Sequence, residues 1–535
     1  MSNSIKFIVG GKGMKKRWLS LLLVLTMSLG ISACGSANTA EGTDSAAAEE
    51  STEEGTGSDG VLEVAEDPAD WPVVKMEVIS QTDTQEKEAE IEDALNEYLV
   101  SINAGVQADL LSLSFGDRAT QLTLLLTDTS DPLDLFAWRF YSSVSDLVKN
   151  EQCISLEKYR NVYPELWEIF PEEVYDTCKV NGEQYSLPGA DSFSNFQVYA
   201  MRKDVVEEIG ATDLVGTKIT MDQLNDLMAK AEALHPELCW QGETLLKPLM
   251  GVDNLGNDSL IGVLMNRGIG ETEIKNYYAT EDFRNYCYQC KDWADKGYIV
   301  DNPLNNTTLP GQLVNDGICG GYMFEAYSID YAQSLMDAQI VNYEMSIFQI
   351  TDIAGDNSCV YNGWQISSTS KNPDAAMKLL YLAYTDETVG RLLALGIEGV
   401  TYQVDENGCA WYADGVTAEN AGWNMTGPWF YPNECLSLPF ETDYAEYYSA
   451  MEALWSDDSI QYSNGMGFVF DSSEVYDQLA ACTTTVDEYR DALLYGQVDV
   501  DSYLEKFNTE LENNGINEII AAMQEQFDTF LAAKE

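Results

Sequence analysis

Residues 73–102 read VVKMEVISQTDTQEKEAEIEDALNEYLVSI. Val74, Met76 and Val78 alternate with Lys75 and Glu77, the two-residue period of a strand with one more exposed face. The spacing then changes. Ile91, Ala94, Leu95, Tyr98, Leu99 and Ile102 share one side of a helical period, so a helix follows the strand. Past Gly116-Asp117 a second helical stretch, rich in leucine through Leu126, leads by Asp131-Pro132 into the short apolar strand Leu133 to Ala137. Strand, helix, strand, helix and strand in this order predict an α/β lobe on a mostly parallel sheet.

The same style continues downstream. Asn372-Pro373 offers a cap and a first-turn proline to a helix carrying Ala376, Met377, Leu379, Leu380 and Ala383. A last helix buries Ile516, Ile519, Ile520, Met523, Phe527, Phe530 and Leu531. With 535 residues the chain exceeds what one simple core organises and suits two lobes.

The N-terminus speaks to location. Lys15-Lys16-Arg17, the apolar run Trp18 to Leu29 and then Ile31-Ser32-Ala33-Cys34 follow the order of a secretory signal. The apolar run is too short to span a bilayer. Ile31-Ser32-Ala33-Cys34 resembles a bacterial lipobox, which implies a diacylated Cys34 as the first residue of the exported protein. Residues 1–34 are thus expected to be a lipoprotein signal. Residues 35–69, acidic and poor in large apolar side chains, are expected to be a disordered tether that lifts the body off the membrane.

A formal charge of -60 argues against nucleic acid and against docking on anionic lipid. Besides Cys34 there are ten cysteines at irregular spacing, not the framework of a small stapled domain. Cys287 and Cys290 form a lone C-x-x-C. They share a helical face with Phe283, Tyr286, Trp293 and Ala294, which makes them core residues rather than a redox or zinc pair. The single histidine, His235, has no nucleophile-elbow motif to accompany it. There is no phosphate loop or dinucleotide fingerprint, and Asp253 to Asp258 lacks the spacing of a calcium loop. No cofactor or metal is expected.

Several ordered segments then resemble a known family. They are the lipobox and tether, Asp134-Leu135-Phe136, Tyr185-Ser186-Leu187-Pro188 with Tyr199 to Asp204, and Gly317 to Tyr322. Asn372-Pro373-Asp374-Ala375-Ala376-Met377-Lys378-Leu379-Leu380 adds the sharpest match, and Gly396 to Tyr402 with Tyr503 to Phe507 completes it. Together they resemble extracellular solute-binding proteins of ABC transporters, of the sugar-binding, family 1-like lipoprotein type. The resemblance implies two α/β lobes of the periplasmic-binding-protein kind, each a mostly parallel sheet flanked by helices, with a ligand cleft at the hinge. It also implies a monomer at the outer face of the cell membrane, anchored by lipid alone. Such a protein captures a carbohydrate by lobe closure and delivers it to membrane permease subunits. Lobe 1 is expected over 70–190 and about 350–420, and lobe 2 over about 191–349 and 421–535.

Position narrows the ligand contacts, because ligands lie beyond the carboxyl ends of strands in open α/β sheets. Trp138 and Arg139 follow the strand ending at Ala137, and Gln81 to Asp83 follow the strand around Val78. Trp364 follows Asn362-Gly363, and Trp423 and Trp429 flank Gly427-Pro428 in an aromatic loop. By matching segments, the resemblance adds Tyr327 and Glu325. Aromatic rings would stack on pyranose faces while Arg139, Glu325, Gln81 and Asp83 bond hydroxyls. Two other readings stay open. The cleft of a non-sugar binder, such as a peptide binder, would satisfy termini and backbone, and a surface glycosidase would need only two carboxylates.

Overall fold

The structure, a computed structural model, describes residues 60–80, 85–242, 251–360, 362–425, 427–440 and 444–534. The strands that matter here are β1 (Val73–Ser80), β2 (Gln107–Ser114), β3 (Leu135–Ala137), β4 (Leu187–Pro188), β5 (Phe196–Arg202), β6 (Gly321–Ala326), β7 (Met345–Gln349), β8 (Ala354–Gly355), β9 (Gly363–Ile366) and β10 (Gln461–Tyr462).

The first lobe is a sheet ordered β2-β1-β3-β9-β4. β1 pairs in parallel with β2 and β3, while β9 runs antiparallel to β3 and β4. Helix α1 (Glu88–Ser101) buries Ile91, Leu95 and Leu99 against the sheet. Its flank also seals the free edge of β2. Glu88, Glu92 and Asn96 recur every four residues and accept from the backbone N–H of Ser112, Leu110 and Ala108 at 2.8, 2.7 and 2.7 Å. Four helical residues advance about 6 Å and two strand residues about 6.6 Å, so the acceptors keep step with the outward donors. An edge that would otherwise template another strand is thereby closed.

Glu77 departs from the sequence reading. It was expected on an exposed face, yet it is fully buried. β1 lies between β2 and β3, and α2 (Arg118–Leu125) begins on the polar face with Arg118, which pairs with Glu77. Alternation marked two faces correctly but could not show that both are covered.

The second lobe carries the sheet β6-β5-β7, in which β5 is antiparallel to both neighbours. The α/β two-lobed class holds, and the mostly parallel pairing belongs to the first lobe alone. Apolar clusters line both faces of this sheet, one around Tyr199, Met201 and Phe348 and the other around Val198, Ala200 and Ile347. A helical unit completes the lobe: α3 (Glu281–Asp295), α5 (Tyr476–Leu494), α6 (Val500–Asn513) and α7 (Ile516–Lys534), numbered so that α4 is the Pro373–Thr385 helix of the first lobe. Cys287 and Cys290 lie in its core, as expected, and burial pushes the Cys290 thiol up to about 12. Cys239 and Cys319 form a disulfide beside the second sheet.

Three stretches of chain connect the lobes: after β4, between β7 and β9, and between Phe440 and the helix-rich C-terminal part, the last touching both lobes through Tyr447 and Met466. These crossings form a small sheet of their own. Asn195 exchanges both backbone hydrogen bonds with Ala354 (3.0 and 3.1 Å), and β8 pairs in parallel with β10. Two boundaries shift accordingly. Trp423, Met425, Phe430 and Tyr431, and further on Met466, pack in the core of β1 and β3, so the chain is still on lobe 1 well past 421. Residues 60–69, expected in the tether, lie on the first lobe: Leu62 packs on its core and Trp71 Nε1 donates to Ala65 O at 2.8 Å. Cys34, the lipobox and residues 35–59 fall outside the described residues.

Candidate functional site

Both principal sheets end at the crossings. In lobe 1 the carboxyl end of β3 meets Gly363 at the start of β9, where Trp138 N donates to Gly363 O at 3.0 Å. In lobe 2, β5 starts immediately after the first crossing, β6 ends opposite it and β7 ends where the second begins. Both sheet ends thus abut the crossings, one forming the lobe 1 wall and the other the lobe 2 wall of the hinge.

The lobe 1 wall is aromatic and centred on one cation. Arg139 lies with its guanidinium carbon 4.4 Å from the Phe140 ring centre and 4.6 Å from that of Trp429. Phe115, one residue beyond β2, packs edge-on to Phe140 at 5.1 Å and against Phe430 at 6.1 Å. Phe140 is 54% exposed and held at φ 55°, so its ring stands out from the wall. Trp138 is half-buried beside Gly363, and its Nε1 is buried without a hydrogen-bond partner among the described residues.

A buried ion pair fixes this wall from behind. Arg118 contacts Glu77 through Nε, and its Nη2 donates to Glu77 Oε2 at 2.9 Å. The same guanidinium donates to the carbonyls of Ala137 and Arg139 at 2.5 Å each, while Glu77 accepts from Ala137 N at 3.0 Å. The backbone that carries Trp138 and Arg139 is thus held on both sides of each residue. Asn362 secures the aromatic loop, donating from Nδ2 to the Trp429 and Phe430 carbonyls at 3.1 and 3.4 Å.

The lobe 2 wall is carboxylate and amide. Glu325, exposed on β6, accepts from Gln197 Nε2 at 3.0 Å across the β5–β6 register. Gln197 is itself buried, and its Oε1 has no partner among the described residues. Tyr327 is buried, stacked on Tyr331 at 4.4 Å and edge-on to Tyr447 at 6.0 Å, and burial raises its phenol well above the usual range.

Of the residues the sequence nominated, the structure brings Arg139 and Trp429 into contact, with Trp138 adjacent in the chain and packed on the Leu113–Phe136 cluster, and leaves Glu325 exposed on β6. Trp364 and Trp423 sit elsewhere. Trp364 is fully buried with Nε1 donating to Phe430 O at 3.1 Å, and Trp423 donates to Leu393 O at 3.0 Å from the lobe 1 core. Both are packing residues in this conformation. Tyr327 offers little surface. Gln81 and Asp83 lie outside the described residues. Sequence reasoning missed Phe115 and Phe140, although the rule that selected Trp138 applies equally to Phe115 at the end of β2.

His235 touches two glutamates rather than a hydroxyl or thiol. Nε2 lies 2.8 Å from Glu208 and Nδ1 3.4 Å from Glu237, and the Glu208 contact raises its pKa. Among the described residues no group of three or more His, Cys, Asp or Glu is arranged to hold a metal. No helix among them is long and apolar enough to cross a membrane.

Comparison with known proteins agrees with this architecture. A family described as a domain of unknown function, DUF3502, matches residues 464–532, which cover most of the C-terminal helical unit. Over its length the chain is 22% identical to a carbohydrate ABC transporter substrate-binding protein of Streptococcus pneumoniae serotype 4, covering 98% of this chain and 100% of that one. The crystal structure of an N-glycan transport solute-binding protein, NgtS, from Streptococcus pneumoniae matches with a TM-score of 0.71 at 20% identity, over 87% of this chain and 100% of the other. The same protein in complex with Man5GlcNAc matches with a TM-score of 0.58 at 21% identity, over 87% and 99%. The expected resemblance to sugar-type extracellular solute-binding proteins is borne out, and the fold is theirs.

Proposed function

We propose that this chain is the solute-capturing component of an ABC importer, which closes its two lobes on a saccharide and delivers it to a membrane permease. The observation that carries the reading is the pair of rings, Phe140 and Trp429, on the Arg139 guanidinium, next to Trp138. It lies beyond the end of β3, and in this reading it faces the Gln197–Glu325 pair across the cleft. Apolar ring faces suit the C–H faces of a pyranose, and the guanidinium, amide and carboxylate suit its hydroxyls. The full-length likeness to proteins named for carbohydrate and N-glycan transport supports the same class. In this reading the chain acts by binding, at the extracytoplasmic face. Cys34 carries the lipid anchor, the protein works as a monomer, and Gln81 and Asp83 bond hydroxyls of the ligand.

Calorimetric and thermal-shift titration with N-glycan-derived oligosaccharides, other glycans and short peptides tests it. At a hundredfold excess over Kd, a ligand adds about 2.7 kcal/mol of stability. Trp429→Ala is expected to weaken glycan binding roughly tenfold through lost ring contact. Peptide binding without glycan binding would overturn the substrate class, and turnover of a bound glycan would overturn the binder reading.

A further inference from the structure

The hinge contains more polar structure than its small sheet needs. In lobe 2, three successive residues adopt left-handed backbone: Asn266 (φ 49°), Arg267 (φ 51°) and Gly268 (φ 75°). For the two that are not glycine, this conformation costs of order 1–2 kcal/mol each. The turn survives because its surroundings hold it. A Cβ on Gly268 would stand 1.9 Å from Ser463 Oγ, so glycine is required there by space as well as by φ.

The turn aims one side chain and one carbonyl at all three crossings. Arg267 Nη1 donates to Asn195 O on the first crossing at 2.8 Å. Nε and Nη2 donate to Asp356 Oδ2 on the second, at 2.8 and 2.6 Å. Gly268 O accepts from Asn464 N on the third at 3.0 Å. Asp356 is in turn fixed by Ser358 N, which donates to its Oδ1 at 3.0 Å. Arg267 is largely buried, with its side chain 17% exposed, so these bonds are little screened by solvent.

We propose that Arg267 is the positioning residue of lobe closure: it ties the three crossings into one bending element and so sets the population of closure-competent molecules. Three independent linkers would let the lobes twist and shear. Three linkers bonded to one guanidinium and its turn bend together, and the walls that carry Arg139 and Glu325 meet in register. A residue of this kind acts on affinity through the competent fraction, so it changes binding of every ligand by one common factor. A wall residue such as Trp429 changes each ligand differently.

Hydrogen exchange of the ligand-free full chain tests this without knowledge of the solute, so its outcome is separate from that of the carbohydrate reading. Arg267→Lys keeps the charge but offers one nitrogen where the guanidinium uses three. Exchange at the amides of Asn195, Ala354 and Ser463, one from each crossing, should accelerate together by about tenfold or more, while β1 and β5 change less than about twofold. Faster exchange confined to residues 265–268, or unchanged crossings, would overturn the proposal. Asp356→Asn removes the tie from the other side and leaves the turn's sequence intact, and the same three amides should respond. If Arg267→Lys fails to fold and Asp356→Asn leaves the crossings unaltered, the arginine is a core element and the proposal falls.

Discussion

Two guanidiniums in this protein, Arg118 fully buried and Arg267 largely so, meet carboxylates in opposite ways. Arg118 in lobe 1 has one carboxylate, Glu77, and uses its remaining donors on two carbonyls of a single loop. Arg267 at the hinge has Asp356 as its direct partner, but a second buried carboxylate, Asp253, stands in the field of Asp356. Asp253 Oδ2 accepts from Ser463 Oγ at 2.5 Å and Asn357 Nδ2 at 3.3 Å, and its Oδ1 from Leu255 N at 2.9 Å. The first site is neutral and closed on itself, which suits a wall that must not move. The second carries surplus negative charge where three chain segments must bend. At the hinge, burial and the neighbouring Asp356 carboxylate raise the Asp253 pKa, whereas Arg118 and Glu77 are matched one to one.

The comparison can be broken most forcefully at Arg118. Removing one partner of a buried pair leaves the other charge uncompensated, a loss of about 3–5 kcal/mol. Arg118→Ala is therefore expected to lower the denaturant midpoint of the chain sharply and to weaken glycan binding as well, since the Ala137 and Arg139 carbonyls lose their donors. The double variant Glu77→Leu/Arg118→Met separates the two effects. It should recover most of the stability, because an apolar pair of similar volume replaces a buried ion pair at little cost. It should not recover binding. Full recovery of both would mean that the pair merely fills space.

This contrast also shows what the sequence could and could not reveal. The strand-helix-strand order of residues 73–137 follows from periodicity, because α1 buries a stripe at helical spacing and β1 alternates. That Glu77 is buried does not follow, since its partner Arg118 lies 41 positions away and only pairing order brings them together. The aromatic wall was half legible. A rule about strand ends found Trp138 and Arg139, whereas nearness to turn residues picked Trp364 and Trp423, which fold inward. The hinge network was not legible at all. Arg267, Asp356 and Ser463 sit in irregular segments with no period, and their meeting is a property of three long-range crossings.

A second prediction sharpens the comparison at Asp253. Burial first, and then the Asp356 carboxylate, push its pKa from 3.8 up to about 6. A carboxyl with a raised folded pKa binds its proton more tightly in the folded state. Its contribution is fully present below about 3.8 and is lost as pH rises through about 6. By neutral pH the loss is on the order of 3 kcal/mol. Asp253→Asn cannot titrate, so the stability difference, variant minus wild type, should grow in the variant's favour between pH 4 and pH 7. Denaturant unfolding across that range measures it. Parallel profiles for the two proteins would show that Asp253 is not strained by Asp356 and that the hinge is as well matched as the wall.

The weakest expected effect comes from a third cation, which also joins the lobes but is not deeply buried. Lys534, at the end of α7, donates to Met466 O at 2.8 Å and lies 3.0 Å from Asp176 of lobe 1. Its side chain is 33% exposed and that of Asp176 20%, so the pair is partly screened. Asp176 also has Lys179 at 2.8 Å and keeps a partner if Lys534 is lost. Lys534→Ala should therefore cost no more than about 1 kcal/mol. What it does to lobe motion is the more informative readout. Met466 is fully buried in the lobe 1 core, and a Cβ on neighbouring Gly467 would stand 2.4 Å from Asp176 O, so backbone and apolar packing already fix this contact. If packing alone suffices, exchange at Asn195, Ala354 and Ser463 will be unchanged in Lys534→Ala. Acceleration there equal to that in Arg267→Lys would instead make the ammonium a hinge tie of the same rank, and the distinction between matched and surplus charge would no longer separate rigid from moving regions.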